Sequence, residues 1–254
     1  MEDSIRIMTQ RLSSILSDNS PSIYLFGSVV MDDFKFGWSD IDILCLTENP
    51  LTKTQAADLV TLRQTLLIEY PDNPYFRLFE GIITTWEVCA DHTNGTVVYW
   101  GTSGQRIVDS FRIDVFSTIE LLKYGRLLYG IDKRERLAYP SPIEIHKATE
   151  DYYSTIRKYA VQTDTHLYSA GWLLDIARCL YTVQTYNVIS KTNAGKWALN
   201  AGLSPEPEIL KKAIMIRENP MEYKNDESTQ SWLTSLGPHI QVFADVLEGA
   251  LKTE

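Results

Sequence analysis

The residues with the clearest chemical potential are two aspartates, Asp40 and Asp42, in the run Ser39-Asp40-Ile41-Asp42. If Ile41 to Leu46 forms a strand, Asp40 stands at its entrance and Asp42 inside it, and side chains two apart point to one face. Carboxylates so placed can share a Mg²⁺ ion, which takes one or two carboxylates plus phosphate oxygens in preference to a full protein cage. Their mutual repulsion is costly until a cation neutralises it. Alone, such a pair is better explained as a solvated pair on an edge strand. Twelve residues before Asp40 stands Ser28, preceded by Gly27 and by the β-branched and aromatic run Ser22-Ile23-Tyr24-Leu25-Phe26. A strand ending in Gly-Ser gives a turn whose backbone can approach a phosphate, with the Ser28 hydroxyl as a donor. A third carboxylate, Glu80, lies in a further strand-like run, Phe76 to Ile83. It could complete a metal site or take a proton from an attacking hydroxyl. Asp114 competes for that role, but it precedes a helical run and an N-cap accounts for it.

The elements that must position these residues can be read from the pattern. Ile5, Met8, Leu12 and Ile15-Leu16 recur at helical spacing, so about Asp3 to Ser17 should be an amphipathic helix closed by Asp18-Asn19-Ser20-Pro21. Leu59, Leu62, Leu66 and Leu67 mark the apolar face of a helix over Leu51 to Tyr70. Val97 to Trp100 reads as a fourth strand, and Ile113 to Leu128 as a helix stopped by Gly130. Composition changes at Tyr139-Pro140-Ser141-Pro142; beyond it the pattern is almost wholly helical, with helices through Trp172 to Tyr181, Ile209 to Arg217 and Ile240 to Leu251. The expected fold is α+β: a domain of mixed strands and helices over residues 1–140, followed by a helical bundle over 141–254.

The net charge of −9 argues against a general nucleic-acid binder and suits a small cationic substrate. Cys45, Cys89 and Cys179 are widely spaced and read as buried apolar residues. His92, His146, His166 and His239 have no metal-like spacing. No segment is long and apolar enough to span a membrane, and the N-terminus has charges where a signal peptide would be apolar, so a cytoplasmic protein is expected.

Strand, Gly27-Ser28, a connection that includes Gly37, then Ser39-Asp40-x-Asp42 resembles the signature of the DNA-polymerase-β-like nucleotidyltransferase superfamily. The helical half is similar to that of the aminoglycoside adenylyltransferases acting on streptomycin and spectinomycin: Arg178 in Asp175-Ile176-Ala177-Arg178, then Ser190-Lys191, then Trp197-Ala198. The resemblance implies that Gly27, Ser28, Ser39, Arg178, Ser190 and Lys191 bind the nucleotide, that Asp40, Asp42 and Glu80 bind Mg²⁺, and that the helical domain closes the active-site cleft. It implies transfer of AMP from ATP to a hydroxyl of an aminoglycoside or aminocyclitol, with Glu80 as base, by a protein expected to be a monomer. Residues 164–172 depart from the pattern: no carboxylate stands where those enzymes grip the drug. Trp86, Glu87 and Asp91 could line the acceptor site. The alternatives are a nucleotidyltransferase acting on another small molecule, a protein or tRNA, and a non-catalytic nucleotide-binding member.

Overall fold

The computed structural model describes residues 1–91, 93–101 and 104–252, and His92 lies outside them. The chain forms two compact units: Met1–Val30 with Asp40–Tyr139, and Met31–Ser39 with Pro140–Glu254.

The first unit is built on a six-stranded sheet. In chain order its elements are α1 (Glu2–Ile15), β1 (Ser22–Phe26), β2 (Ile41–Thr47), α2 (Lys53–Glu69), β3 (Phe79–Thr85), α3 (Trp86–Ala90), β4 (Val97–Gly101), β5 (Gly104–Val108), α4 (Val115–Tyr124) and β6 (Arg126–Tyr129). The strands lie in the order β5-β4-β3-β2-β1-β6. β2 and β3 are parallel, and the other pairs are antiparallel. A parallel pair needs a crossover, and α2 supplies it. Thr52 starts α2 with a full capping box, its hydroxyl accepting from Gln55 N–H while the Gln55 side chain reaches back.

Alternation along the strands gives the sheet two different faces. On one, Tyr24, Leu44, Leu46 and Ile82 pack with Trp86, Val88 and Cys89 of α3 and Leu121 of α4. Asp42 and Glu80 belong to this same face, one row beyond the packed residues. On the other face Trp100 turns towards α2, its indole N–H donating to Leu59 O at 2.9 Å.

Three sequence expectations need correction. The helix expected to run to Leu128 stops at Tyr124, and Arg126–Tyr129 forms an edge strand on β1. A Cβ on Gly125 would meet Leu121 O at 2.3 Å, so the chain turns at a residue with no side chain. The strand expected from Phe76 begins at Phe79, after a 3₁₀ turn over Phe76–Leu78. The sequence pattern predicts no strand where β5 forms, because Gly104-Gln105-Arg106 lacks the apolar alternation of an inner strand.

The second unit is helical among its described residues: α5 (Pro142–Tyr159), α6 (Gly171–Thr185), α7 (Lys191–Asn200), α8 (Pro207–Glu218), α9 (Pro220–Tyr223), α10 (Glu227–Thr234) and α11 (Gly237–Leu251). α6 is its central helix, with Leu173, Leu174, Ile176, Ala177 and Leu180 buried. α5 starts with a capping box between Ser141 and Glu144 and carries Pro142 in its first turn.

Candidate active site

Strand register assembles the acidic residues. Asp42 pairs with Phe26 on β1 and with Glu80 on β3. Partners in register on neighbouring strands share a face and sit about 4.8 Å apart, so Asp42 and Glu80 are neighbours, with Asp40 two residues before Asp42 at the mouth of β2. All three are partly exposed, unlike the buried row behind them.

Gly27 follows β1 directly. Its φ is +70°, and a Cβ there would meet Asp42 Oδ2 at 2.2 Å. Glycine is therefore required twice: for the left-handed backbone, and to leave room for the carboxylate of β2. The Gly27–Val29 turn is 3₁₀, and the Ser28 hydroxyl is buried without a hydrogen-bond partner among the described residues. A buried hydroxyl is normally satisfied, so Ser28 Oγ keeps a hydrogen-bonding capacity that an oxygen of a ligand would use.

Among the described residues no group of three or more acidic, histidine or cysteine side chains closes into a metal cage. The donor set suits Mg²⁺ all the same, since this ion accepts one or two carboxylates and completes its shell with phosphate oxygens and water. Asp40 and Asp42 are the residues that would hold it, with Glu80 beside them.

Asp114 caps α4: its carboxylate accepts from Ser117 N–H at 3.0 Å and from the Ser117 hydroxyl at 2.6 Å. Trp86 is 1% exposed and belongs to the core, so it cannot line an acceptor site. Glu87 and Asp91 follow the far end of β3, while Glu80 stands near its start. Five residues of strand, roughly 17 Å, separate Glu80 from Thr85 at that end. On the Glu80 side of the sheet an open groove of ≈ 580 Å³ is lined by Ile82, Tyr99, Arg106, Phe111 and Arg112 among others, with Arg106 stacked 4.3 Å over Tyr99.

The motifs of the sequence do not single out Arg63. It lies on the buried face of α2 and is 8% exposed. Its guanidinium donates to Phe79 O at 2.8 Å and to Gly101 O at 3.2 Å, tying the ends of β3 and β4 next to Glu80. Burial lowers its pKa, and the charges of Glu80 and Asp40 oppose that shift. The signal was present: Arg63 is flanked by Leu59, Leu62 and Leu66, and an arginine in an apolar helical stripe needs buried acceptors.

In the helical unit, Asp175 draws two cations together, Lys191 Nζ at 2.9 Å and Arg178 Nη2 at 3.5 Å. Ser190 is the N-cap of α7, accepting from Asn193 N–H at 3.4 Å. Ser39 Oγ accepts from Lys35 N–H at 3.0 Å. Asp164 is occupied with local structure: it accepts from His166 N–H at 2.8 Å and the Ser169 hydroxyl at 2.9 Å, and these bonds hold its pKa below the usual carboxylate range.

Residues 5–84 match the nucleotidyltransferase domain family, and residues 144–241 match the aminoglycoside adenylyltransferase C-terminal domain family. The chain is an aminoglycoside adenylyltransferase-like nucleotidyltransferase. The first match contains Gly27, Ser28, Asp40, Asp42 and Glu80, and the second Arg178, Ser190 and Lys191. The fold of this nucleotidyltransferase is also that of a solved structure, the spectinomycin adenyltransferase AAD(9) from Enterococcus faecialis with ATP and spectinomycin. The two share 18% identity with a TM-score of 0.63, over 98% of this chain and 99% of the other. No curated protein matches the chain by sequence.

Proposed function

We propose that this nucleotidyltransferase moves AMP from ATP to a hydroxyl of an aminoglycoside or aminocyclitol antibiotic, in the cytoplasm, with Mg²⁺ as its metal. The observation that carries the reading is the register of Asp42 with Glu80 against a glycine whose missing side chain makes room for the Asp42 carboxylate. The match of the helical half to the aminoglycoside adenylyltransferase family supports the acceptor class, as does the likeness in fold to an enzyme solved with ATP and spectinomycin. The acidic composition favours a cationic acceptor.

In this reading residues 1–140 carry the chemistry and residues 141–254 supply cations for the phosphates. Asp40 and Asp42 would hold Mg²⁺, with Glu80 beside them, and the ion would supply positive charge to the phosphates. The backbone at Gly27 and the Ser28 and Ser39 hydroxyls orient the phosphates, with Ser190 fixing the start of α7. Arg178 and Lys191 meet the triphosphate charge, exchanging Asp175 for phosphate oxygens. Glu80 takes the proton from the acceptor hydroxyl as its oxygen bonds to phosphorus, and pyrophosphate leaves. Glu80→Gln tests the assignment. Turnover should fall by at least about 10²-fold, the lower end of a general-base contribution, with ATP binding by calorimetry little changed. A Gln variant that turns over normally would move the base elsewhere.

A further inference from the structure

Met31–Ser39 joins the Gly27–Val29 turn to Asp40 in sequence, yet belongs to the helical unit. Its anchor is Asp33. That carboxylate is 5% exposed and lies 3.0 Å from Arg217 Nη2 of α8, which is itself 4% exposed. The same nitrogen donates to Asp33 O at 3.3 Å. Asp33 Oδ2 also accepts from the backbone N–H of Thr192 at 3.2 Å. Around this centre Arg217 lies 5.4 Å from the ring of Trp38, whose carbonyl accepts from the Tyr168 hydroxyl at 2.7 Å. Gly37, at φ +91°, is packed so closely that a Cβ would meet Met221 Sδ at 2.6 Å.

Burying an ion pair this deeply is a poor way to gain stability, since apolar residues of equal volume often do as well or better. What apolar residues could not do is hold the Thr192 amide. Thr192 is the second residue of α7, and the first is Lys191. A helix leaves its first four N–H groups without intrahelical partners, and a carboxylate there is favourable. Ser190, the residue just before α7, caps the Asn193 amide. Asp33 caps the Thr192 amide from 159 residues away and is itself clamped by Arg217. The backbone that carries Lys191 is thus fixed by a side chain from the segment leading into Asp40.

We propose that Asp33 and Arg217 are positioning residues for the nucleotide: by clamping the first turn of α7 they set the point from which Lys191 reaches the triphosphate. The proposal rests on the reading that Lys191 binds phosphate.

The test compares two variants that both break the ion pair. Asp33→Asn keeps an oxygen that can accept from Thr192 N–H, while Asp33→Ala does not. Affinity for ATP is measured by calorimetry on the full chain, below the melting temperature of each variant. Asp33→Ala should weaken ATP binding about tenfold, the scale of one charge-assisted contact. Asp33→Asn should stay within about twofold of the unaltered chain. Lys191→Ala should weaken binding by about the same factor as Asp33→Ala, and the two changes together should do no more than either alone. If Asp33→Ala does not fold, Asp33→Leu with Arg217→Met removes the clamp and fills the space, and the same loss of affinity is expected. Equal ATP affinity in the Asn and Ala variants, or additive losses with Lys191→Ala, would overturn the proposal. So would a Leu/Met pair that binds ATP normally. An unchanged affinity in Lys191→Ala would instead overturn the phosphate role of Lys191, and the proposal with it.

Discussion

Gly27→Ala is the substitution whose effect follows most directly from geometry. Two costs add. An L-residue in the left-handed region is disfavoured by about 1–2 kcal/mol, and Gly27 has φ +70°. At this chain length about 1 kcal/mol moves the melting temperature by roughly 2–4 °C, so a fall of about 2–8 °C is expected from the backbone alone. The new Cβ would then lie 2.2 Å from Asp42 Oδ2. Ordinary contact begins near 3.4 Å, so the carboxylate or the turn must move by about 1 Å. A displacement of that size at a reacting centre costs about 10²-fold in rate. Thermal unfolding and the initial rate of pyrophosphate release, measured on the same preparation, read the two effects separately. A variant that melts lower but turns over within about threefold of the unaltered enzyme would show that the Asp42 carboxylate has no part in the reaction. A variant with unchanged melting would refute the strain argument itself.

Asp114→Ala should lose about 0.5–2 kcal/mol of stability with the α4 cap and keep its kcat, which separates Asp114 from Glu80 in one assay. Burial tends to raise the pKa of Asp33, but the Arg217 charge and the bonds from Thr192 and Arg217 outweigh it and hold the carboxyl below its ordinary 3.8. A group with a depressed folded pKa contributes stability above its unfolded value and loses it as pH falls through the folded one. Denaturant titrations should therefore show stability falling faster below about pH 4 in the unaltered chain than in Asp33→Asn. Cys45, Cys89 and Cys179 are buried, and burial pushes the Cys89 and Cys179 thiols up to about 12. At pH 8 a thiol reagent should leave the folded protein unlabelled and active, and label three sites once it is unfolded.

The acidic face was legible because strand periodicity is local. Ser22–Phe26 and Ile41–Leu46 each declare a strand, and a period of two puts Asp40 and Asp42 on one side. That Asp42 faces Glu80 is a matter of register across a crossover of some thirty residues, which pattern alone does not determine. Asp33 and Arg217 were invisible for the same reason: one sits in a loop and the other in a helix 184 residues on, and neither carries a local signal of the pair. Trp86 failed differently. Its place just after β3 suggests a part in the acceptor site, but the indole packs into the core against the sheet. Edge strands β5 and β6 lack a strong pattern because one side of an edge has little to pack against.

The proposed reaction passes AMP from ATP to a hydroxyl of an aminoglycoside or aminocyclitol. Incubating the enzyme with Mg²⁺, ATP labelled at the α-phosphate, and a panel of spectinomycin, streptomycin, other aminoglycosides, tRNA and mixed protein tests it directly, with products identified by mass spectrometry. One antibiotic should be recovered heavier by a single adenylyl group, with an equal amount of pyrophosphate, and no such product should come from Glu80→Gln. Label carried only by tRNA or protein, with every antibiotic recovered unmodified, would contradict it.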